Sequence, residues 1–243
     1  MTQMDNPEAI DSGKVAEAAA PATDSDTDIA LPLRVATNMQ AIVAPNSAAG
    51  ESLSALRNFL LSQHLHNGRR AIAVCAPNAG SGCTFLATNL ALAMAQAGVN
   101  TLLIDGNLRD PGVQNVFTTT QPVAGLGDFL TAEDDQPPFL VSHARPNLSV
   151  IYAGQVRGDS SDLLARQKLK LLVNESVRSF DLTIVDCPPA ALYGDARRIA
   201  SLLRYALVVA RRDHSYAADI KTLIKELQAD GTNVVGTFLN ILD

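Results

Sequence analysis

Short, mostly apolar runs alternate with amphipathic stretches along most of this chain. The runs at 71–75, 101–105, 148–152, 182–186, 205–210 and 234–239 are five or six residues long and rich in Val, Ile and Leu, which predicts strands. Stretches with apolar residues at helical spacing predict helices at 85–96, 125–130, 161–179, 195–203 and 216–228. A further helix is predicted over 52–64, where Leu53, Leu56, Leu60 and Leu61 share a face. Runs such as Leu102-Leu103-Ile104 carry no polar residue in alternation, so both faces of those strands must be covered. The expected fold is therefore α/β, a three-layer, doubly wound, mostly parallel sheet between helices. In such sheets ligands bind beyond the carboxyl ends of the strands.

Composition divides the chain into three. Residues 1–30 are acidic and poor in bulky apolar groups, which predicts a disordered tail. Residues 31–50 hold Leu31, Leu33, Val35, Ile42 and Val43 and are expected to dock in extended form. Residues 51–243 are the expected folded domain. The net charge of −6, with no strongly basic block, gives no reason to expect a nucleic-acid partner. No apolar run reaches the roughly 18 residues of a membrane span. The N-terminus has no charged-then-apolar leader pattern, and the three cysteines have no paired spacing. A soluble cytoplasmic protein is expected.

The chemistry gathers at strand ends. After the 71–75 run comes Ala76-Pro77-Asn78-Ala79-Gly80-Ser81-Gly82-Cys83-Thr84, leading into a long helix. Strand, glycine loop and helix form a phosphate cradle, with glycines admitting close approach of backbone N–H groups. Gly80, Ser81, Gly82, Cys83 and Thr84 are the candidate phosphate contacts, and the Thr84 hydroxyl a candidate Mg²⁺ ligand. Taken alone, the loop also reads as a tight turn that binds nothing. The lysine expected before Thr84 is replaced by Cys83. Asp105 and Asp186 end two apolar strands and are candidate catalytic carboxylates or Mg²⁺ ligands; alone, either also reads as a turn cap. Arg109 and Arg211 are candidate replacement cations. Cys75, Cys83 and Cys187 flank the site, either as small buried apolar groups or as redox thiols, with Cys83 at a helix N-terminus that favours a thiolate. His64 and His66 read as solvated, and His214 lies at the site's edge.

From Glu51 to Asn240 the chain resembles the cytoplasmic bacterial tyrosine kinases of capsule and exopolysaccharide export, which are P-loop proteins. Leu102-Leu103-Ile104-Asp105-Gly106-Asn107-Leu108-Arg109-Asp110-Pro111 resembles the family's second acidic motif, and Ile184-Val185-Asp186-Cys187-Pro188-Pro189 its Walker B segment. Gly125–Leu130, Asp162-Leu163-Leu164 and Val235–Asn240 are similar to further family segments. The resemblance implies a P-loop fold of the deviant kind shared with MinD- and ParA-like ATPases, and ATP or ADP with Mg²⁺ as ligands, with Asn240 among the nucleotide contacts. It also implies a homo-oligomer built through Glu51 and Arg57, and a two-span membrane polysaccharide co-polymerase as partner at the inner membrane. The departures are Cys83, Asn78 where deviant loops carry a second lysine, Asn107 for a second carboxylate, and no tyrosine cluster before Asp243. Together they imply a non-catalytic regulatory subunit. The alternatives are an active kinase or ATPase with another cation in the lysine's place, or a positioning ATPase.

Overall fold

The computed structural model describes residues 34–36, 46–119, 122–133 and 141–241. Seven strands form the main sheet: β2 (Ala71–Cys75), β3 (Thr101–Asp105), β5 (Val141–Arg145), β6 (Leu148–Ile151), β7 (Leu182–Asp186), β8 (Tyr205–Arg211) and β9 (Asn233–Asn240). Their order is β5-β6-β3-β7-β2-β8-β9. All neighbours run parallel except the edge strand β5, which is antiparallel to β6. A separate antiparallel ribbon pairs β1 (Arg34–Val35) with β4 (Phe117–Thr118). The six parallel strands coincide with the six predicted apolar runs to within a residue or two. The tail expected over 1–30 lies outside the described residues, as does most of 31–50.

Side chains along the central strands point alternately to two cores. Ile72 and Val74 of β2 face a cluster built with Leu53 and Leu60 of α1 (Ala48–Gln63) and the apolar face of α2 (Cys83–Gln96). Ala71, Ala73 and Cys75 face the opposite cluster, with Leu169, Leu172 and Val173 of α6 (Gln167–Ser179), Ile199 of α7 (Asp195–Leu203) and Leu223 of α8 (Ala217–Ala229). Burial on both faces explains why these strands show no polar alternation. Between them lie the short helices α3 (Val113–Val116), α4 (Leu126–Thr131) and α5 (Ser160–Leu164).

Three expectations need correction. The helix predicted over 161–179 is two helices: α5, capped by the Asp159 carboxylate on Ser161 N–H, and α6, separated where Arg166 turns extended and donates Nη1 to the Leu130 carbonyl at 2.7 Å. The first helix starts at Ala48 because the Ser47 hydroxyl accepts from Gly50 N–H and caps it there. His64 is fully buried rather than solvated. Its Nε2 donates to the Ala71 carbonyl at 3.1 Å and its ring meets Tyr205 edge-on at 4.9 Å. Burial accordingly lowers its pKa.

Candidate nucleotide site

The loop between β2 and α2 turns through two left-handed glycines, Gly80 at φ 74° and Gly82 at φ 91°. Gly82 caps α2, so the helix begins at Cys83. Three consecutive loop carbonyls are held from outside. The His214 imidazole Nε2 donates to Ala79 O at 2.7 Å, Arg211 Nη1 to Gly80 O at 3.0 Å, and Asn240 Nδ2 to Ser81 O at 3.2 Å. A trans peptide sets its N–H opposite its C=O. The N–H groups of Gly80, Ser81 and Gly82 therefore point the other way, which is the arrangement of an anion nest. The Ser81 hydroxyl closes the turn on Asn78 O at 2.8 Å.

The expectation for Arg211 is thus corrected, since its guanidinium braces the loop from behind. Asn240 likewise acts on the loop's carbonyl side. The sequence reading missed these braces as a set. Their one signal was a polar run, Arg211-Arg212-Asp213-His214-Ser215, at the carboxyl end of a buried strand.

Asp105 and Asp186 are directly paired in the β3–β7 register. Both are fully buried. Asp186 Oδ2 accepts from the Thr84 hydroxyl at 2.5 Å, while its buried Oδ1 has no hydrogen-bond partner among the described residues. Asp105 accepts from the N–H groups of Asn107, Gly112 and Val113 at 3.0–3.1 Å. Burial pushes the Asp105 pKa up to about 6 against the pull of those three bonds. Asp186 is raised further, by burial first and by the neighbouring Asp105 charge second. Glycine at 106 permits this crowding, because a Cβ there would sit 2.8 Å from the Asp186 carbonyl oxygen.

Two abutting carboxylates, an orphaned carboxylate oxygen and a helix-head hydroxyl fit a hard divalent cation that keeps several of its waters. Asp186, Thr84 and Asp105 would hold it, directly or through those waters.

A cleft of about 420 Å³ opens in front of the loop, lined also by Asn107, Arg109, Gly112, Cys187 and Tyr193. The Arg109 guanidinium is engaged on every side: Nε donates to Asp195 at 2.8 Å, Nη2 to the Ser161 hydroxyl at 2.8 Å, and its plane covers the Tyr193 ring at 3.9 Å. Asn107 ties its own loop, donating Nδ2 to Asp110 O at 2.7 Å. Asn78 donates Nδ2 to Asp219 at 3.0 Å. Among the described residues, Arg109 is the cation that lines this cleft.

The thiolate expectation for Cys83 is overturned. Burial, then the charge of Asp186, pushes its thiol well above the ordinary value. Cys187 is raised by burial and by Cys75 beside it. A helix N-terminus favours a thiolate, but here burial, with the Asp186 carboxylate second, works against it. Glu51 is exposed in the first turn of α1, and Arg57, three turns on from the cap, contacts Asn58 Oδ1 at 3.2 Å.

No protein-family model matches the chain. Among individual proteins it is 30% identical over 174 residues to the tyrosine-protein kinase CpsD of Streptococcus pneumoniae, covering 72% of this chain and 77% of that one. The chain belongs to the bacterial tyrosine kinases. The tyrosine-protein kinase etk of Escherichia coli K12 is 29% identical over 200 residues, 82% of this chain, which spans 27% of that kinase's length. Among solved structures, the kinase domain of Escherichia coli ETK superposes with a TM-score of 0.76 at 28% identity, covering 84% of this chain and 80% of that one. The cell division ATPase MinD of Pyrococcus furiosus superposes at 0.62 with 25% identity, covering 71% and 72%. The bacterial tyrosine kinase fold thus extends over the described core of this chain, and nucleotide-binding P-loop proteins are its structural neighbours, one of them a complex with Mg-ADP. Among the described residues no helix is long and apolar enough to cross a membrane.

Proposed function

We propose that this chain is a regulatory, kinase-like nucleotide-binding protein of exopolysaccharide synthesis and export. In this reading it works at the inner membrane through a two-span polysaccharide co-polymerase and transfers little or no phosphate. The observation that carries the reading is Cys83. A neutral thiol stands at the head of α2, where the family resemblance calls for lysine, and both nearby arginines are committed elsewhere.

Phosphoryl transfer depends on positioning and on electrostatic stabilisation of the migrating group. The loop N–H groups and the α2 N-terminus supply part of that field, and position the β-phosphate of ADP or ATP. Thr84, Asp186 and Asp105 would hold Mg²⁺, which would supply charge neutralisation. The missing ammonium removes a charge-assisted contact worth roughly 1.5–3 kcal/mol, and more as charge shifts in the transition state. Nucleotide therefore serves as a ligand that sets the shape of the cleft, with assembly through the Glu51–Arg57 face of α1 as its output.

A second reading, an active ATPase or tyrosine kinase, is favoured by one feature. The two carboxylates and Thr84 are all in place, and Arg109 lines the cleft. Releasing Arg109 from Asp195 and Tyr193 would deliver a cation. Incubation of purified protein with Mg-ATP, read by phosphotyrosine detection and phosphate release, separates the two. The regulatory reading expects neither signal. Phosphotyrosine that disappears in Asp186→Ala would establish the active one.

A further inference from the structure

The opposite end of the sheet carries a different kind of cavity. It measures about 550 Å³ and opens at the amino-terminal start of β2 and β8, beneath the carboxyl-terminal ends of α6 and α7. Arg69, Arg70, Arg178 and Arg204 line it, and Lys170 lines an adjoining hollow that shares Arg204. Arg70, Arg178, Arg204 and Lys170 are exposed. Among the described residues, the one ion pair made by these five groups is Arg178 with Glu175, at 4.0 Å and largely solvated. Such a pair is worth little.

Some of this charge has a structural role. Arg178 sits in the last turn of α6 and Arg204 caps α7, where helix dipoles favour cations. Arg69 lies over the Tyr205 ring at 5.1 Å. Arg70 and Lys170 have no such employment, and Val177 beneath them gives the cavity an apolar wall. Guanidinium groups around a concavity suit carboxylate ligands by their forked geometry.

The charge that matches this cavity lies in the same polypeptide. Residues 1–28 hold seven of the chain's 25 Asp and Glu and one of its 19 Lys and Arg. They therefore carry its entire net charge of −6, and the remainder is neutral. We propose that the acidic segment 1–28 docks on the arginine cavity of its own chain. Reach does not forbid it. From Arg34 back to Asp11 the backbone spans up to roughly 75 Å, against a radius of gyration of about 16 Å for a domain of this size. Tethering keeps the segment at a local concentration in the mM range, so weak, salt-screened contacts suffice.

Arginine footprinting with phenylglyoxal on the full chain, mapped by mass spectrometry, tests this. The wild type is compared with a variant in which Asp5, Glu8, Asp11, Glu17, Asp24, Asp26 and Asp28 become Asn or Gln. Arg70 and Arg204 should react roughly threefold or more slowly in the wild type at low salt, as mM-range tethering implies. That protection should vanish in the neutralised variant and in about 0.5 M NaCl. The exposed Arg157 serves as the unchanged reference. Equal rates in the two proteins would overturn the proposal. So would phosphatidylglycerol vesicles that protect Arg70 equally in both, because the surface would then belong to a membrane.

Discussion

The two ends of the sheet use charge in opposite ways. At the carboxyl end the groups that shape the site are buried or committed: Asp105 and Asp186 lie against each other, Arg109 is held by Asp195, and Arg211 braces the loop. At the amino end arginines stand exposed around a hollow with one weak ion pair among them. The first end has shape without a free cation. The second has cations with little to fix a ligand's geometry. In the proposed reading, a phosphate site is legible in the first because its shape is set by backbone bonds that need no lysine.

The largest expected effect strikes the crowded end. Gly106→Val would place carbon 2.8 Å from both the Asp186 carbonyl oxygen and Val185 Cγ1. Overpacking of this kind should cost about 3 kcal/mol or more, a fall in Tm of several degrees by calorimetry. An unchanged Tm would mean that the β3–β7 junction is looser than described.

The acid pair comes next, and its sign is fixed by burial. The folded pKa of Asp105, about 6, lies above its ordinary 3.8. The folded state therefore binds the proton more tightly than the unfolded chain. The stabilisation is complete below about pH 4 and is lost as pH rises through about 6. A two-unit shift at a fully buried group corresponds to on the order of 2–3 kcal/mol. Without metal, this group should lower thermal stability between pH 4 and 7. Millimolar Mg²⁺ should recover part of it, and Asp105→Asn should reduce the slope, leaving the part that belongs to the buried Asp186, whose pKa is also raised. A slope unchanged in Asp105→Asn would assign it wholly to other groups.

Removing one brace is a milder change. Arg211→Ala leaves the Gly80 carbonyl without its donor, and should weaken ADP binding roughly tenfold, about 1.4 kcal/mol. Arg70→Ala at the other end should change stability by less than about 0.5 kcal/mol and leave ADP affinity alone. A loss of ADP affinity there would show that the two ends communicate.

Most of the architecture was legible because parallel strands buried on both faces write themselves as uninterrupted apolar runs. The 101–105, 182–186 and 205–210 runs became β3, β7 and β8 in the expected order. The edge strand β5 was not legible, because Val141-Ser142-His143-Ala144-Arg145 lacks the apolar pattern of the central strands. The helix break at Ala165-Arg166 escaped because it depends on a distant acceptor, the Leu130 carbonyl. At the site, the loop and both aspartates could be named from spacing alone. Their environment could not: spacing does not reveal that burial beside Asp186 raises the Cys83 thiol, or that Arg211 faces the loop's carbonyls. The arginine cavity was invisible for a related reason. Its cations come from three separated segments that only the fold assembles.

Calorimetric titration of the wild type and of Cys83→Lys with Mg-ADP and Mg-ATP addresses the central claim most directly. The account predicts that the wild type binds both nucleotides with little preference for ATP. It predicts that the lysine raises ATP affinity by roughly ten- to a hundredfold, the worth of one charge-assisted contact. Tight, ATP-selective binding by the wild type, left unchanged by the lysine, would contradict it and mean that another cation already serves the terminal phosphate.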